Sequence, residues 1–307
     1  MAAKPGAIVT ENTPNQLIFL TLIRSAEDAN FVRILVESIR SFGGNLSQSP
    51  VWIFTTDAVP DVNPVIENTR FFPLHTPENI GHYPFANKVA ACAQAEAMAP
   101  PNGQTLVWID PECLVVQPPE LFDLAMGFDA AVRPVHIKNV GLSCDAPLDP
   151  FWQKVYAVVG LEEVSPTVET FVGQECIHAY FNSHAFAINP AQKLMSRWLN
   201  CFTRLVSDPA FQTAVCQDMR HQIFLHQAVL SALLVAELDE QRIRILPPSY
   251  NYPYNLHPAV PAARRARTLN ELVCFTYEEC SLQPETVTDI EIDEPLFTWL
   301  HDHFSAS

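Results

Sequence analysis

TLVWIDPE, residues 105–112, is the stretch on which the reading of this chain turns. Residues 105–109 are a run of strand length with no polar face, the composition of a strand covered on both sides. The run passes directly into two carboxylates one residue apart, Asp110 and Glu112. In an extended chain residues i and i+2 point the same way, so both could reach one hard cation. Such a cation would bridge and neutralise a diphosphate. The plainer alternative is that Asp110 caps the following turn and Glu112 is merely exposed.

The surrounding sequence supplies a context for that strand. Upstream, residues 17–23 (LIFLTLI) form a first apolar run of strand length. Ser25 then opens a helical stretch with Phe31, Leu35 and Ile39 at helical spacing; Ser25 is its N-cap, and Gly43-Gly44 ends it. Residues 51–55 (VWIFT) and 70–74 predict two further strands, and residues 85–98 (FANKVAACAQAEAM) an alanine-rich helix. Strands alternating with helices imply a mostly parallel sheet with helices on both sides. Downstream the pattern loosens. Residues 128–132 predict a strand, 134–150 a proline-punctuated loop, 151–159 a helix and 183–188 a strand. A helix through Trp198 and Leu199, another over 222–236, a strand over 272–277 and a closing helix over 294–304 complete the reading. With 26 prolines against nine glycines, the connections are rigid loops rather than flexible linkers.

Composition narrows the function. The chain has 307 residues, 48% of them hydrophobic, enough for a large core in a single domain. Its 34 acidic and 18 basic residues give a net charge of −16, which repels phosphate backbones and excludes a general nucleic-acid binder. The one basic cluster, Arg264, Arg265 and Arg267, either holds a diphosphate or is simply exposed. The eight cysteines form no C-x-x-C pair and mostly sit in apolar runs, as buried free thiols do. Residues 1–16 lack the apolar core of a secretory leader, and no apolar run reaches the roughly 18 residues of a membrane span. A reducing cytoplasm is the expected location.

The first strand leads into TLIRSAED, which contains neither G-x-G-x-x-G nor a P-loop, and no G-x-S-x-G occurs. Dinucleotide binding, Walker-type NTP hydrolysis and an α/β-hydrolase are thereby disfavoured. Residues 87–122, NKVAACAQAEAMAPPNGQTLVWIDPECLVVQPPELF, instead resemble the centre of GT-A-fold nucleotide-sugar glycosyltransferases. That family shows a lysine-bearing helix, a turn, an apolar strand, D-x-D, a second apolar strand, then proline and a helix carrying Leu-Phe. Lys88, Asp110, Glu112 and Leu121-Phe122 occupy those places. Tyr180-Phe181-Asn182-Ser183 resembles the family's F-N-S-G, residues 226–230 (HQAVL) its D-Q-x-x-L, and Tyr250-Asn251-Tyr252 its Y-N-Y turn. The glycogenin-like and bacterial galactosyltransferase branch is the nearest, and the likeness runs in order over residues 17–277.

The resemblance implies a GT-A-like α/β fold, a three-layer sandwich with a mixed, mainly parallel central sheet. It also implies one domain over residues 1–307, with a nucleotide-binding half (about 15–125) and a sugar and acceptor half (about 126–307). The implied activity moves a hexose from a nucleotide-diphosphate sugar, a UDP-sugar, to a carbohydrate or other hydroxyl acceptor with Mn2+ or Mg2+. By the same resemblance Asp110 touches metal and ribose, and Glu112 ligates the metal. Lys88 faces the nucleotide or diphosphate, and the strand-one exit (Thr21, Arg24, Ser25) cradles the base. Asn182 holds sugar hydroxyls, and Gln227 sits by the anomeric carbon. The departures are specific. The second carboxylate is Glu, His184 replaces the Gly after Asn-Ser, and His226 replaces the Asp before Gln227. The strand expected to supply a late metal histidine offers only Cys274 and Thr276, and the Lys-Pro-Trp that follows in the family is missing. His257 is the candidate replacement ligand, or else a plain loop residue. These losses keep open a non-catalytic relative acting as a nucleotide-sugar-binding or interaction module.

Other conspicuous residues have structural readings. Trp52, Trp108 and Trp198 are expected in the core. Phe151-Trp152 is expected to pack, and His75, His82 and Tyr83 to lie in a surface loop.

Overall fold

The computed structural model describes residues 17–56, 67–100, 104–125, 127–162, 166–278 and 280–304. The leader reading of residues 1–16 falls outside them. The first half runs β1 (Ile18–Ile23), α1 (Ala26–Phe42), β2 (Val51–Thr55), β3 (Thr69–Pro73), α2 (Ala86–Met98), β4 (Leu106–Ile109) and β5 (Cys113–Val115). After β6 (Ala130–Pro134) come α3 (Pro150–Val159), β7 (Thr167–Glu169), β8 (Cys176–His178), β9 (Phe181–Ile188) and α4 (Leu194–Val206). The remainder is α5 (Pro209–Ala214), α6 (Met219–Glu237), β10 (Ile243–Ile245), β11 (Tyr252–Pro253), β12 (Cys274–Thr276) and α7 (Leu296–Phe304).

Seven strands form the central sheet in the order β10-β6-β9-β4-β1-β2-β3. The run β4-β1-β2-β3 is parallel, β9 is antiparallel to both its neighbours, and β10 is parallel to β6. This is a GT-A-like sheet, mixed with a parallel core. The alternation of side chains along β1 sends Leu20 and Leu22 into one core and Phe19 and Ile23 into another, so both faces are covered. Helices α2, α3, α4 and α6 cover the first face; α1 covers the second. Beside α1, a three-stranded sheet β11-β12-β5 encloses a third core that α7 closes.

Local chemistry explains several element ends. Ser25 accepts a hydrogen bond from the Asp28 N–H and starts α1. Helix α4 begins after Lys193, which is left-handed and supplies no cap; the buried Glu96 carboxylate at the end of α2 accepts from the N–H groups of Met195 and Ser196 instead, both at 2.9 Å. A carboxylate at a helix N-terminus also complements its dipole, and here it fixes α2 against α4. The Tyr-Asn-Tyr turn is pinned by Arg133 Nη1, which donates to the Tyr250 and Asn251 carbonyls at 3.2 and 2.6 Å.

The strand expected over 128–132 lies two residues later, at Ala130–Pro134. Trp52, Trp108, Trp198, Phe151 and Trp152 are buried as expected, but so is Tyr83, whose hydroxyl bonds Gln212 and Cys216. Five cysteines are buried; Cys144 and Cys176 are exposed, and the Cys144 N–H donates to the Cys176 carbonyl at 3.1 Å beside an antiparallel bridge between Ser143 and Ile177. Two of the three clustered arginines are occupied locally: Arg264 pairs with Glu169, and Arg265 donates to the Pro258 and Val260 carbonyls. Among the described residues no helix is long and apolar enough to cross a membrane.

Candidate active site

Strand β1 leads the chain to β2 on one side and is flanked by β4 on the other, so the crevice between the carboxyl ends of β1 and β4 is the sheet's switch point. A cavity of about 510 Å³ opens there. Its charged end is lined by Arg24, Lys88, Asp110, Glu112 and Glu278.

Asp110 is held by three elements. Lys88, on α2 and only 3% exposed, donates to it at 2.9 Å. The Trp108 indole N–H donates at 2.6 Å, and the Asp110 backbone N–H donates to the His184 carbonyl of β9 at 2.8 Å. The turn after β4 is closed by backbone alone, from the Cys113 N–H to the Asp110 carbonyl, so the Asp110 side chain is not a cap. Lys88 also donates to Ser183, whose hydroxyl contacts His226 Nε2 at 2.9 Å. His226 directs Nδ1 at the Ile223 carbonyl, which fixes Nε2 as the acceptor. Burial, reinforced by Lys88, holds the His226 pKa well below the ordinary value, so the imidazole is neutral. Burial also lowers His184, partly offset by Asp110.

Asn182 and Gln227 are buried and line the same cavity. The Asn182 oxygen accepts from the His184 N–H, and the Gln227 oxygen accepts from the Ser183 N–H. The amide N–H2 groups are what each can offer a bound hydroxyl.

The strand-one exit divides. Side chains alternate along it, so Leu22 and Arg24 line the cavity while Thr21 is buried away from it. Ser25 serves α1 as its cap. Arg24 is clamped to Asp28 through Nε at 2.8 Å and Nη2 at 3.0 Å. The structure does not bring His257 to the cavity lining. It is buried beside the third core, with Nε2 donating to the Asp289 carbonyl at 3.0 Å and Nδ1 accepting from the Tyr252 hydroxyl at 2.8 Å. An imidazole with both nitrogens engaged has no lone pair left for a metal.

Glu278 is the residue the sequence reading passed over. It follows β12 by two residues in a left-handed conformation (φ 48), accepts from Asn255 Nδ2 at 2.6 Å, and enters the cavity beside Thr276. The Tyr277 N–H donates to the Glu112 carbonyl at 3.0 Å, which brings the two glutamates together. Desolvation, then repulsion by Glu278 and Asp110, raises the Glu112 pKa. The signal was in the sequence: Thr276 and Glu278 repeat the i, i+2 relation of Asp110 and Glu112. Oxygen donors of this kind suit a hard divalent cation. Among the described residues, however, no three His, Cys, Asp or Glu side chains are gathered at metal-holding distance.

A family model described as a Rhodobacterales glycosyltransferase domain matches residues 34–238, a span that includes Lys88, Asp110, Glu112, Asn182 and Gln227. No match was found among curated protein sequences. Among solved structures, the galactosyltransferase LgtC in complex with donor and acceptor sugar analogs aligns with a TM-score of 0.56 at 12% identity, covering 95% of this chain and 97% of that one. An active-site mutant of LgtC gives the same values. The apo bifunctional glycosyltransferase WbbM aligns at 0.50 and 13% identity, over 99% of this chain and 51% of that one. At such identities the likeness shows the fold, and the family match carries the rest: the chain belongs to the Rhodobacterales glycosyltransferase domain family.

Proposed function

We propose that the protein is an active transferase that moves a hexose from a UDP-sugar to a hydroxyl acceptor. The observation that carries the reading is the joining, in one cavity at the switch point, of a charged end (Arg24, Lys88, Asp110, Glu112, Glu278) with two buried amides, Asn182 and Gln227. A nucleotide diphosphate needs positive charge at the first and hydroxyl-binding groups at the second.

In this reading Arg24 and Leu22 border the nucleotide, and Lys88 faces the diphosphate from behind Asp110. Asn182 and Gln227 hold sugar hydroxyls with their amide N–H2 groups. Acidic side chains outnumber basic ones at the charged end, so a diphosphate entering alone meets net repulsion. Hard carboxylate oxygens and the unrelieved repulsion at Glu112 fit Mn2+ or Mg2+, which Asp110, Glu112 and Glu278 would hold together with the donor's own oxygens. When bound, the cation would neutralise charge developing on the leaving diphosphate. With the protein ligands ungathered beforehand, metal and nucleotide are expected to bind weakly alone and to strengthen each other.

The test is calorimetric titration of UDP with and without manganese, followed by donor hydrolysis over a UDP-hexose panel. The reading expects UDP affinity to rise at least about tenfold with metal and at least one donor to be turned over. Equal affinity with and without metal removes the cation. The closure of Lys88 on Asp110 favours one alternative, a non-catalytic relative that binds nucleotide sugars; binding without hydrolysis of any donor would establish it.

A further inference from the structure

The cavity lining also includes apolar side chains. Two of its large apolar lining residues are exposed, Phe85 at 37% and Ile137 at 38%. Phe85 breaks two local preferences at once. It occupies the N-cap position of α2 with φ 61 and ψ 8, a left-handed conformation that is unfavourable for a residue with a bulky side chain. It also offers no side-chain acceptor to the free N–H groups of the first turn. Asparagine would suit both requirements better. Local conflict of this kind is the mark of a position shaped by something other than folding.

The ring is fixed from behind. It stacks on the His226 imidazole, with centroids 4.3 Å apart and planes 18° from parallel. His226 is itself held by the Ile223 carbonyl and the Ser183 hydroxyl. The exposure of Phe85 therefore lies on its other face and edge, toward the cavity. The Lys88 ammonium that grips Asp110 lies 5.8 Å from the ring centre, so this face adjoins the charged end.

We propose that the open face of Phe85 is the platform on which the acceptor lies, and that the acceptor is a carbohydrate stacked through a C–H face. A pyranose presents a flat array of weakly positive C–H groups, which matches the negative face of an aromatic ring; a simple alcohol or a serine hydroxyl has no such surface. A rigid ring that needs no ordering on binding also lowers the entropic penalty of capture. The inference rests on the transferase reading above, and the experiment separates the two.

Methyl pyranosides are titrated into the full-length chain by NMR, which reads the platform without turnover, and UDP affinity is measured in parallel. Phe85→Asn should weaken pyranoside binding at least about fivefold while leaving the melting temperature unchanged or higher, because Asn tolerates the left-handed conformation and can cap α2. Phe85→Trp should keep pyranoside affinity within about twofold. The proposal is overturned if the native chain binds no pyranoside, if Phe85→Asn binds it as well as the native chain, or if an alkanol binds as tightly. It is equally overturned if Phe85→Asn lowers the melting temperature and UDP affinity together, since Phe85 would then be scaffold. Pyranoside binding that depends on Phe85 in a chain that binds no UDP would sustain the platform and sink the transferase reading alone.

Discussion

Strands β4 and β12 both deliver a carboxylate to the cavity, and they do so in opposite ways. β4 belongs to the central sheet between β1 and β9, and its Asp110 is held by a buried lysine, an indole N–H and a backbone bond to β9. β12 belongs to the small sheet, and Glu278 leaves it through a left-handed residue with Asn255 as its hydrogen-bond partner. One acid is built into the frame. The other is placed where it can adjust to a ligand. Preorganised groups set the reaction geometry, whereas adjustable ones complete a site when the ligand arrives.

The sharpest way to break the comparison is at Lys88–Asp110. Asp110→Asn leaves a buried ammonium without its counterion, so it should cost about 2–4 kcal/mol of stability and reduce donor turnover by on the order of 100-fold. Combining it with Lys88→Met should restore most of the stability and none of the turnover. Urea unfolding and donor hydrolysis read the two effects, and a native urea midpoint for Asp110→Asn would show that β4 is no frame. Glu278→Gln should behave in the opposite sense. Its urea midpoint should barely move, while the gain in UDP affinity from manganese should shrink by about five- to tenfold; an undiminished gain would take Glu278 out of the cation's shell.

A smaller effect concerns pH. Because the fold raises the Glu112 pKa, the native state holds that proton over a range where the unfolded chain has released it. Glu112 therefore withdraws stability as pH rises above its ordinary value of 4.5 into the raised range. Glu112→Gln should be slightly more stable than the native chain at pH 7, with the advantage vanishing toward pH 4. Solvent screening keeps it small. A constant difference across that range would mean that Glu112 titrates normally. Smallest of all, brief treatment with iodoacetamide should label Cys144 and Cys176 while Cys92, Cys113 and Cys274 stay protected until unfolding. Cys144 should react sluggishly for an exposed thiol, because the neighbouring Cys176 thiol raises its pKa. Peptide mass mapping gives the order of labelling.

The same contrast explains what the sequence made legible. β4 is a long enough apolar run to announce itself, and the two carboxylates after it stand out against its composition. Ser25 and the helical spacing after it marked α1 just as clearly. The small sheet is made of strands of two or three residues; of these β12 was legible within the apolar run 272–277, but Glu278 lies just past that run and was passed over. His257 was chosen for nearness in sequence to the Tyr-Asn-Tyr turn, yet the short helical turn there directs it at Asp289 and Tyr252. Phe85 could not have been found, since nothing in Tyr-Pro-Phe-Ala signals a left-handed residue. Cys144 and Cys176 lie far apart in sequence, and only the bridge between their segments makes them neighbours.

The antiparallel seating of β9 against β4 has a consequence for synthesis. Lys88, Asp110 and Glu112 leave the ribosome early, but the carbonyl that holds Asp110, the hydroxyl that receives Lys88 and the glutamate that faces Glu112 all come from residues 183 and later. A chain interrupted before β9 would carry Lys88 and the acidic pair without the second wall of the cavity. If the chain is the transferase proposed above, such a fragment should be inert rather than partly active, so that unfinished or clipped copies would not consume donor without delivering it.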